Sequence, residues 1–359
     1  MTGPSRLTVV GNTVWSAALA RTFATSGREV TFINTGLGSG IGMAIVRRTA
    51  LDAIRIRPTR KIHPATRLIH RSVLTYECVD QGLTSARLED GATQILIMDR
   101  LALINALLED AHIESHRARQ VVPVAQGDAL TVQIGRDRDL ETDLLVLTGN
   151  SDAAAAAQVA SGLDPLELDL LTEVGWPDHG TESTSCMFAT GDALFGGMAS
   201  ILTSPSGIYV SVRSGFRAVD RAGIETHEII QALIDHPAFG DLIPSTQPGF
   251  TANHTLPSIP KTGTLQVQNR VLDLSSVCGA LDPLELDLDL SLGQAVGSAL
   301  IRLFDEGRTS SAALSGLTRS IKGLTTNHQS VASTLSGAFA TTSERTMDAL
   351  FANLIQSRA

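Results

Sequence analysis

The first stretch of the chain joins two apolar runs through a segment with helical spacing. The runs are residues 7–10 and 30–33, bounded by Gly11 and Asn34, and residues 16–25 between them repeat apolar positions with a helical period. This order predicts a strand, a tight turn, a helix and a second strand. Such a β-α-β unit is the nucleotide-binding half of a doubly wound α/β fold, so we expect a parallel sheet here.

Later stretches mix helical and strand-like periods. Residues 43–54 and 101–111 have helical spacing, and residues 73–79 and 95–98 are apolar runs on either side of a polar hairpin at residues 89–91. Further apolar runs are expected to extend the first sheet, and they lie at residues 121–124, 130–134 and 144–147.

From residue 163 onward the chain alternates apolar and polar positions. A half-exposed antiparallel sheet has this period of two, so we predict a second, antiparallel layer that faces the substrate. A helix at residues 226–235 interrupts the layer. The predicted strands lie at residues 184–190, 194–203, 208–213 and 249–256.

One eight-residue string, LDPLELDL, occurs twice, at residues 163–170 and 281–288. Each copy is interpreted as an Asp-Pro turn that opens a short acidic helix, because proline suits the first turn of a helix. Beyond residue 307 the chain is rich in Ser and Thr but keeps helical spacing at Leu314, Leu317 and Ile321 and again over residues 347–355, which predicts packing helices with polar outer faces.

The composition limits the class of protein. The chain has 359 residues, 43% of them hydrophobic and 4% aromatic, and a net charge of −9. This acidic balance argues against a general nucleic-acid binder. No apolar run approaches the ~20 residues that a membrane span needs, and the first residues lack the apolar stretch of a signal peptide. We therefore expect a cytoplasmic protein without a membrane span.

Residue types that bind metals are scattered along the chain. Cys78, Cys186 and Cys278 are far apart, and they predict neither a disulfide framework nor a zinc motif. His112 and His116 are four residues apart, which could place both on one helical face, but no acidic or cysteine partner stands at a motif spacing. We predict no metal site and interpret the histidines as surface residues near a helix end.

A basic segment lies between residues 47 and 71. It holds eight of the 28 basic residues of the chain and a single acid, Asp52. One interpretation is a wall that faces an anion, in which Arg47 and Arg48 bind an acidic small-molecule substrate. The alternative is a solvated segment whose charges pair with acids elsewhere and contribute little to stability.

The first turn lacks most of the residues that bind a dinucleotide. Such a turn needs three glycines for close approach of the diphosphate and the helix, and an acidic residue at the end of the second strand for the ribose. Here the first glycine is Gly11, Thr13 and Ser16 stand at the other glycine positions, and Asn34 stands at the acidic one. Trp15, beside the turn, either plugs the diphosphate site or packs in the core.

Several later stretches carry a resemblance to a known family. They are DRL at residues 99–101, a strand and turn at residues 144–149, and DHPAFGDLIP, NHTLPSIP, VLDLSSVCGALDP and LGQAVGSAL between residues 235 and 300. With the first unit they resemble the FAD-dependent oxidoreductases of the geranylgeranyl reductase and FixC type, relatives of the aromatic hydroxylases. The resemblance covers residues 7–306.

The resemblance implies an α/β fold with three parts. An FAD/NAD(P)-binding Rossmann-like domain is expected to be discontinuous, in residues 1–72, 99–160 and 265–306. An antiparallel substrate domain would comprise residues 73–98 and 161–264, followed by carboxyl-terminal helices in residues 307–359.

The resemblance also implies which cofactor contacts differ. In the family a buried strand ends in Gly-Asp, whose acid binds the ribityl chain of FAD, and here Ser275 and Ser276 stand at that pair. Gly279 and Asp282 remain where the flavin-side loop would run, and with Gly11 they are remnants of the cofactor motif. The diphosphate, ribose and ribityl contacts all differ, so we predict a chain that binds no cofactor.

A flavoprotein scaffold without flavin resembles the flavoprotein-like cyclases of polyketide pathways. The implied function is a cofactor-independent cyclase, such as a pericyclase of the Diels-Alder type, acting on an apolar, acidic polyketide in antibiotic biosynthesis or other secondary metabolism. One alternative is an FAD-dependent oxidoreductase or monooxygenase with an apolar or polyketide substrate. Another is a non-catalytic pseudo-flavoprotein that stabilises a partner enzyme.

Under the cyclase hypothesis the antiparallel sheet supplies the polar groups. Tyr209, Ser211 and Arg213 share one face of a strand by period-two alternation, and His254 lies on the last strand. Tyr209 or His254 could donate a hydrogen bond that polarises a carbonyl of the substrate. Trp176 would bind the substrate together with Ser211 and Arg213. The alternative for each is an ordinary structural residue of the sheet.

Overall fold

The chain folds into two compact units. Unit 1 contains Met1–Arg67, Leu96–Asp164 and Pro260–His328, and unit 2 contains Leu68–Ile95, Pro165–Ile259 and Gln329–Ala359. This computed structural model describes residues 6–35, 43–55, 67–69, 73–78, 85–89, 95–118, 120–126, 129–135, 138–148, 168–181, 185–191, 197–204, 207–215, 226–235, 240–257, 267–268, 270–274, 286–308, 310, 312–317 and 321.

Strands dominate the described part of both units. The strands are β1 (Arg6–Gly11), β2 (Glu29–Asn34), β3 (Met43–Arg47), β4 (Arg67–Ile69), β5 (Val73–Cys78), β6 (Ser85–Glu89), β7 (Ile95–Asp99), β8 (Glu114–Arg117), β9 (Val121–Gln126), β10 (Ala129–Ile134), β11 (Arg138–Thr142), β12 (Leu144–Leu147), β13 (Leu168–Trp176), β14 (Ser185–Gly191), β15 (Gly197–Ser204), β16 (Gly207–Gly215), β17 (Phe250–Pro257), β18 (Val267–Gln268) and β19 (Val271–Asp273). The helices are α1 (Val14–Ala24), α2 (Arg48–Ala53), α3 (Arg100–Asp110), α4 (Thr226–Asp235) and α5 (Leu286–Asp305).

Unit 1 is built on a six-stranded sheet in the order β18-β19-β12-β1-β2-β8. Strands β19, β12, β1, β2 and β8 run parallel to their neighbours in this order, and β18 pairs antiparallel with β19 at the edge. All four residues of β12 are buried, as in a parallel sheet covered on both faces. The predicted β-α-β unit at the start of the chain is confirmed.

Helix α1 packs closely against α5 in unit 1, and two glycines of α5 allow the approach. A Cβ atom at Gly293 would lie 2.5 Å from the Trp15 carbonyl oxygen and 2.9 Å from the Leu19 nitrogen. A Cβ atom at Gly297 would lie 2.8 Å from Cβ of Thr22. The backbones therefore meet where any larger side chain would hold them apart.

Two predictions about the sheet of unit 1 were wrong. Residues 121–124 and 130–134 do not extend it, because β9 and β10 form a separate antiparallel sheet with β11. Val122 on β9 is 49% exposed, which suits a sheet with one open face but not a buried parallel strand. The described edge strand β8, with the polar sequence ESHR, carries no apolar run that could have predicted it.

Two further predictions fail near β3 and β6. Of residues 43–54, predicted as a helix, residues 48–53 are helical as α2, but residues 43–47 form strand β3, which pairs in a sheet of order β3-β7-β4. The β-branched Ile45 and Val46 favour that strand. The hairpin joins β5 to β6 rather than to β7, since β6 pairs antiparallel with β5.

Unit 2 is built on a seven-stranded sheet in the order β17-β13-β16-β15-β14-β5-β6. Its neighbouring strands are antiparallel except for the parallel pair of β14 and β5. The predicted antiparallel layer is confirmed, with strands at the predicted places and helix α4 at the predicted residues.

The two copies of LDPLELDL adopt different structures at their ends. Residues 168–170 of the first copy begin strand β13, whereas residues 286–288 of the second begin helix α5. The prediction of an acidic helix is therefore wrong for the end of the first copy. An identical string takes the structure that its pairing partners impose, because local propensity is a weak determinant.

The predictions for the chain beyond residue 307 can be followed in part. Residues 312–317 are helical, and the predicted packing positions Leu314, Leu317 and Ile321 are buried in the core of unit 1. The predicted helix at residues 347–355 lies outside the described residues. Among the helices that the structure describes, none is long and apolar enough to cross a membrane.

The close packing of α1 on α5 can be tested by replacing Gly293 with Ala. The added Cβ meets backbone atoms of α1 that cannot move independently, so we expect a loss of about 1–3 kcal/mol in the free energy of unfolding, measured by urea denaturation. Gly316→Ala is the matched control, because a Cβ there meets nothing within 4 Å and alanine favours the helix by about 0.5–1 kcal/mol. Equal effects of the two variants would contradict the packing argument.

Candidate functional site

The carboxyl ends of the parallel strands in unit 1 bring together positions of the dinucleotide-binding fingerprint. We use this name for the three glycine positions of the first turn and the acidic position that ends the second strand. Gly11 at the end of β1 pairs with Asn34 at the end of β2. On the other side of β1, Thr148 follows β12 and donates its backbone N–H to the carbonyl of Val10 at 2.9 Å. Ligands of open α/β sheets bind at this edge. Gly11, Asn34 and Thr148 therefore meet at the edge where ligands of such sheets bind.

The amino terminus of α1 is capped by the chain's own hydroxyl groups. Thr13 is the N-cap residue, with extended dihedral angles of φ −125° and ψ 159°. Its Oγ1 accepts a hydrogen bond from the Ser16 backbone N–H at 3.2 Å, and Ser16 Oγ accepts one from the Thr13 backbone N–H at 3.0 Å. The two residues form a reciprocal capping box, which satisfies donors that a helix start would otherwise present to a ligand.

Gly11 is required by the close approach of Thr148. A Cβ atom at Gly11 would lie 2.1 Å from Thr148 Oγ1 and 3.2 Å from Cβ of Ser16. Thr148 Oγ1 is fixed in that place because it donates to the carbonyl of Val10 at 2.8 Å. The surviving glycine of the fingerprint thus makes room for two protein side chains.

The polar residues at this edge are buried by the protein. Thr13 is 6% exposed and Ser16 is fully buried. Asn12, Thr35 and Thr148 are buried as well. The carbonyl of Asn34, at the position of the ribose-binding acid, accepts a hydrogen bond from the Ala118 N–H at 3.0 Å.

The residues of this turn do not fit an FAD diphosphate. A diphosphate offers only acceptors, but the Thr13 and Ser16 backbone donors are already bonded within the turn. Asn12 Oδ1 is buried without a hydrogen-bond partner, and as an acceptor it would gain nothing from a diphosphate. Trp15 Nε1 also has no partner, and its indole packs in the core of unit 1, so Trp15 is a core residue rather than a plug.

Several residues that were predicted to bind the cofactor or an anion lie wholly or in part outside what the structure describes. Gly279 and Asp282 lie outside the described residues, as do Ser275 and Ser276. Arg47 ends β3 and Arg48 begins α2, but their side chains are not among those that the structure describes.

The register of the sheet in unit 2 places most of the predicted polar positions on one face. Tyr209, Ser211 and Arg213 alternate along β16. Residues directly opposite each other in antiparallel strands share a face, so Leu171, which pairs with Arg213 and with His254, brings the position of His254 to that face. The side chains of Tyr209 and Ser211 are partly buried, and those of Arg213 and His254 lie outside the described set.

Trp176 belongs to the opposite face. It pairs with Ile208, whereas Tyr209 pairs with Gly175. Its indole Nε1 donates to the Thr246 carbonyl at 2.8 Å, and the side chain is buried. This contact makes Trp176 an anchor for the segment that precedes β17, so the structure does not bring it together with Tyr209 and Ser211.

Sequence reasoning missed a carboxylate on the same face as Ser211. Glu173 pairs with Ser211 on one side and with Ala252 on the other, and it is 4% exposed. A carboxylate is rarely buried to this extent without partners, and Glu173 has them. The alternating pattern of residues 168–176 could have revealed it, but residues 168–170 were predicted as the end of a helix and residues 171–176 were not predicted as a strand.

The two histidines at helical spacing do not share a helical face. His112 follows α3 with a left-handed φ of 52°, and His116 lies on β8. His116 contacts Arg138 through Nδ1 at 3.2 Å and Glu114 through Nε2 at 2.9 Å. In the described part of the chain, no three His, Cys, Asp or Glu residues are grouped so that they could hold a metal ion.

Comparison with known proteins identifies the fold. No protein-family model and no curated protein matches the sequence. A geranylgeranyl bacteriochlorophyll reductase-like protein from Thermoplasma acidophilum matches with a TM-score of 0.72 at 12% identity, over 98% of this chain and 92% of that one. A probable FAD-dependent monooxygenase from Pseudomonas aeruginosa matches with a TM-score of 0.63 at 14% identity, over 97% and 100%.

A third solved structure has a similar fold. A tetracycline destructase matches with a TM-score of 0.64 at 12% identity, over 99% of this chain and 96% of that one. The chain therefore has the Rossmann-like fold of the FAD-dependent oxidoreductases, which confirms the resemblance predicted from the sequence. Identities this low establish the fold alone.

The contact between Gly11 and Thr148 can be tested with a double-mutant cycle. Gly11→Ala should lower the free energy of unfolding by about 1–3 kcal/mol, because its Cβ collides with Thr148 Oγ1. In a Thr148→Ala background the same change should cost less, since the colliding oxygen is gone. Urea denaturation of the four proteins measures the coupling, expected at about 0.5–3 kcal/mol. Additive effects would show that Thr148 does not close over Gly11.

Proposed function

We propose that the chain is a cofactor-independent cyclase that closes a ring in a polyketide, on a flavoprotein scaffold that no longer binds FAD. The observation that carries the proposal is the self-capped turn of Thr13 and Ser16, which engages donors that a diphosphate would use. Under this proposal the chain keeps the seven-stranded sheet of unit 2 although the redox cofactor is lost. Such a change of reaction is compatible with the fold, because the fold alone does not fix the reaction.

The proposed reaction leaves the composition of the substrate unchanged. A ring closure of the Diels-Alder type forms two carbon–carbon σ bonds from π bonds of the same molecule, and no electron or proton leaves it. The protein's task is to hold the flexible chain with the reacting atoms in register, which can lower the barrier by several kcal/mol. No residue has to supply redox chemistry.

The polar face of the unit 2 sheet provides the groups for this task. Tyr209 and His254 are the proposed hydrogen-bond donors to a carbonyl, which draw electron density from the reacting double bond. Ser211 and Arg213 are proposed to bind the substrate, and Glu173 can orient a substrate hydroxyl as an acceptor. Arg47 and Arg48 remain the proposed contacts for an acidic group.

An FAD-dependent oxidoreductase is the second candidate. The retained Gly11 and the enzymes named among the structural neighbours favour it. Under this alternative the turn must open so that Thr13 releases Ser16, because both side chains are buried and bonded to each other.

The two proposed functions predict different visible absorbance spectra for the purified protein and different changes in mass between substrate and product. We expect the purified protein to show no flavin band in its visible absorbance spectrum, and none after incubation with FAD and desalting. Cells that lack the chain should accumulate a compound that the purified protein converts to a product of the same mass, because ring closure is an isomerisation. A bound flavin in stoichiometric amount, or masses that differ by two hydrogens or an oxygen, would favour the oxidoreductase.

The role of Glu173 can be tested with the compound that accumulates in those cells. Glu173→Gln should lower kcat by about tenfold with a smaller change in KM, because the neutral amide oxygen accepts a weaker hydrogen bond than the charged carboxylate. Asp235→Asn is the matched control, since Asp235 is an exposed carboxylate on α4 that accepts from Gln231. Unchanged kcat in folded Glu173→Gln would remove Glu173 from the site.

A further inference from the structure

We propose that the hydroxyl groups of Thr13 and Ser16 have taken over the structural role of the cofactor's diphosphate at the start of α1. In a dinucleotide-binding turn the phosphate oxygens accept hydrogen bonds from the helix amino terminus and stabilise it. Here the protein makes that interaction with itself. The inference rests on the proposed function for its cofactor-free state and assigns a cause to it.

The hydrogen bonds between the two residues form a closed set. Thr13 Oγ1 donates to Ser16 Oγ at 3.1 Å and accepts from the Ser16 backbone N–H at 3.2 Å. Ser16 Oγ donates to the Thr13 carbonyl at 2.6 Å and accepts from the Thr13 backbone N–H at 3.0 Å. Each hydroxyl therefore both donates and accepts within the pair, and neither needs an external ligand.

The same two side chains fill the space that a glycine fingerprint keeps open. Glycine at the second position lets the backbone approach the diphosphate, and glycine at the third lets the helix approach β1. In this chain Thr13 and Ser16 are buried, and Ser16 Oγ lies 3.3 Å from the place of a Gly11 Cβ. A diphosphate could enter only after Thr13 leaves its cap position.

The turn is held closed from a second direction by Thr148, which follows β12. Thr148 donates both its hydroxyl and its backbone N–H to the Val10 carbonyl, at 2.8 and 2.9 Å. Its Oγ1 lies against Gly11, at the base of the turn. Helix α1 cannot shift away to make room, because its other side is in backbone contact with α5 at Gly293.

The first experiment measures what the cap contributes in the absence of any nucleotide. Thr13→Val and Ser16→Ala each remove one hydroxyl and keep a similar shape, and both should lower the melting temperature of the full chain by about 2–4 °C. Ser26→Ala is the matched control, because it removes a serine hydroxyl that donates to Phe23 beyond the other end of α1. We expect the control to shift the melting temperature less. Cap variants whose melting temperatures equal that of the wild type would overturn the inference.

The second experiment restores the glycine fingerprint. The variant Thr13→Gly with Ser16→Gly has glycines at positions 11, 13 and 16, so its turn can admit a diphosphate. Added FAD or ADP should raise the melting temperature of this variant and leave that of the wild type unchanged. A variant that does not respond to either nucleotide would show that these two side chains are not by themselves what excludes the diphosphate. A wild type that responds equally would show that the cap does not exclude it.

The outcomes separate this inference from the proposed function. If the cap variants have the melting temperature of the wild type and the protein binds no flavin, the capping inference is overturned and the cyclase proposal stands. If the cap variants are destabilised and the protein binds no flavin, but the accumulated compound differs from the product by a redox change, the cyclase proposal is overturned and the capping inference stands.

Discussion

The structure of unit 1 depends on the close approach of α1 to two neighbours, through positions that carry no side chain. Gly11 allows Thr148 to lie against the end of β1, and Gly293 and Gly297 allow the backbone of α5 to meet that of α1. Interiors are packed so densely that one added methyl group at such a contact must displace backbone. Helix α1 is therefore fixed in position, and its amino terminus cannot adjust to whatever lies at the carboxyl edge of the sheet.

That constraint gives the residues of the turn their importance. With α1 fixed, the turn between β1 and α1 must satisfy its helix donors either with a ligand or with its own side chains. Thr13 and Ser16 satisfy two of these donors, their own backbone N–H groups, with hydroxyl groups that are buried and bonded to each other. A glycine pair would leave these donors for a phosphate. The two side chains thus supply within the protein hydrogen bonds of the kind that a phosphate accepts in a dinucleotide-binding turn.

Unit 2 contributes a different kind of surface. Its seven-stranded sheet carries Glu173, Ser211 and Tyr209 on one face, and Trp176 on the other. A polar row among apolar strands suits the proposed task of holding a flexible substrate, because it supplies few directional contacts on a rigid support. The buried carboxylate is costly without a purpose or a partner, and it has partners.

The sequence by itself determined the elements whose period is strong and local. The β1-α1-β2 unit, helices α3 and α4, strands β14 to β17 and the changed fingerprint at Thr13, Ser16 and Asn34 all follow from short stretches, because the cause of each lies within the stretch. Tertiary structure decided which sheet β9 and β10 join and whether the end of LDPLELDL is strand or helix. It also decided that Glu173 lies on the same face of the sheet as Ser211, whereas Trp176 lies on the opposite face. These outcomes depend on pairing with strands distant in the chain, and a one-residue change of register would exchange the two faces.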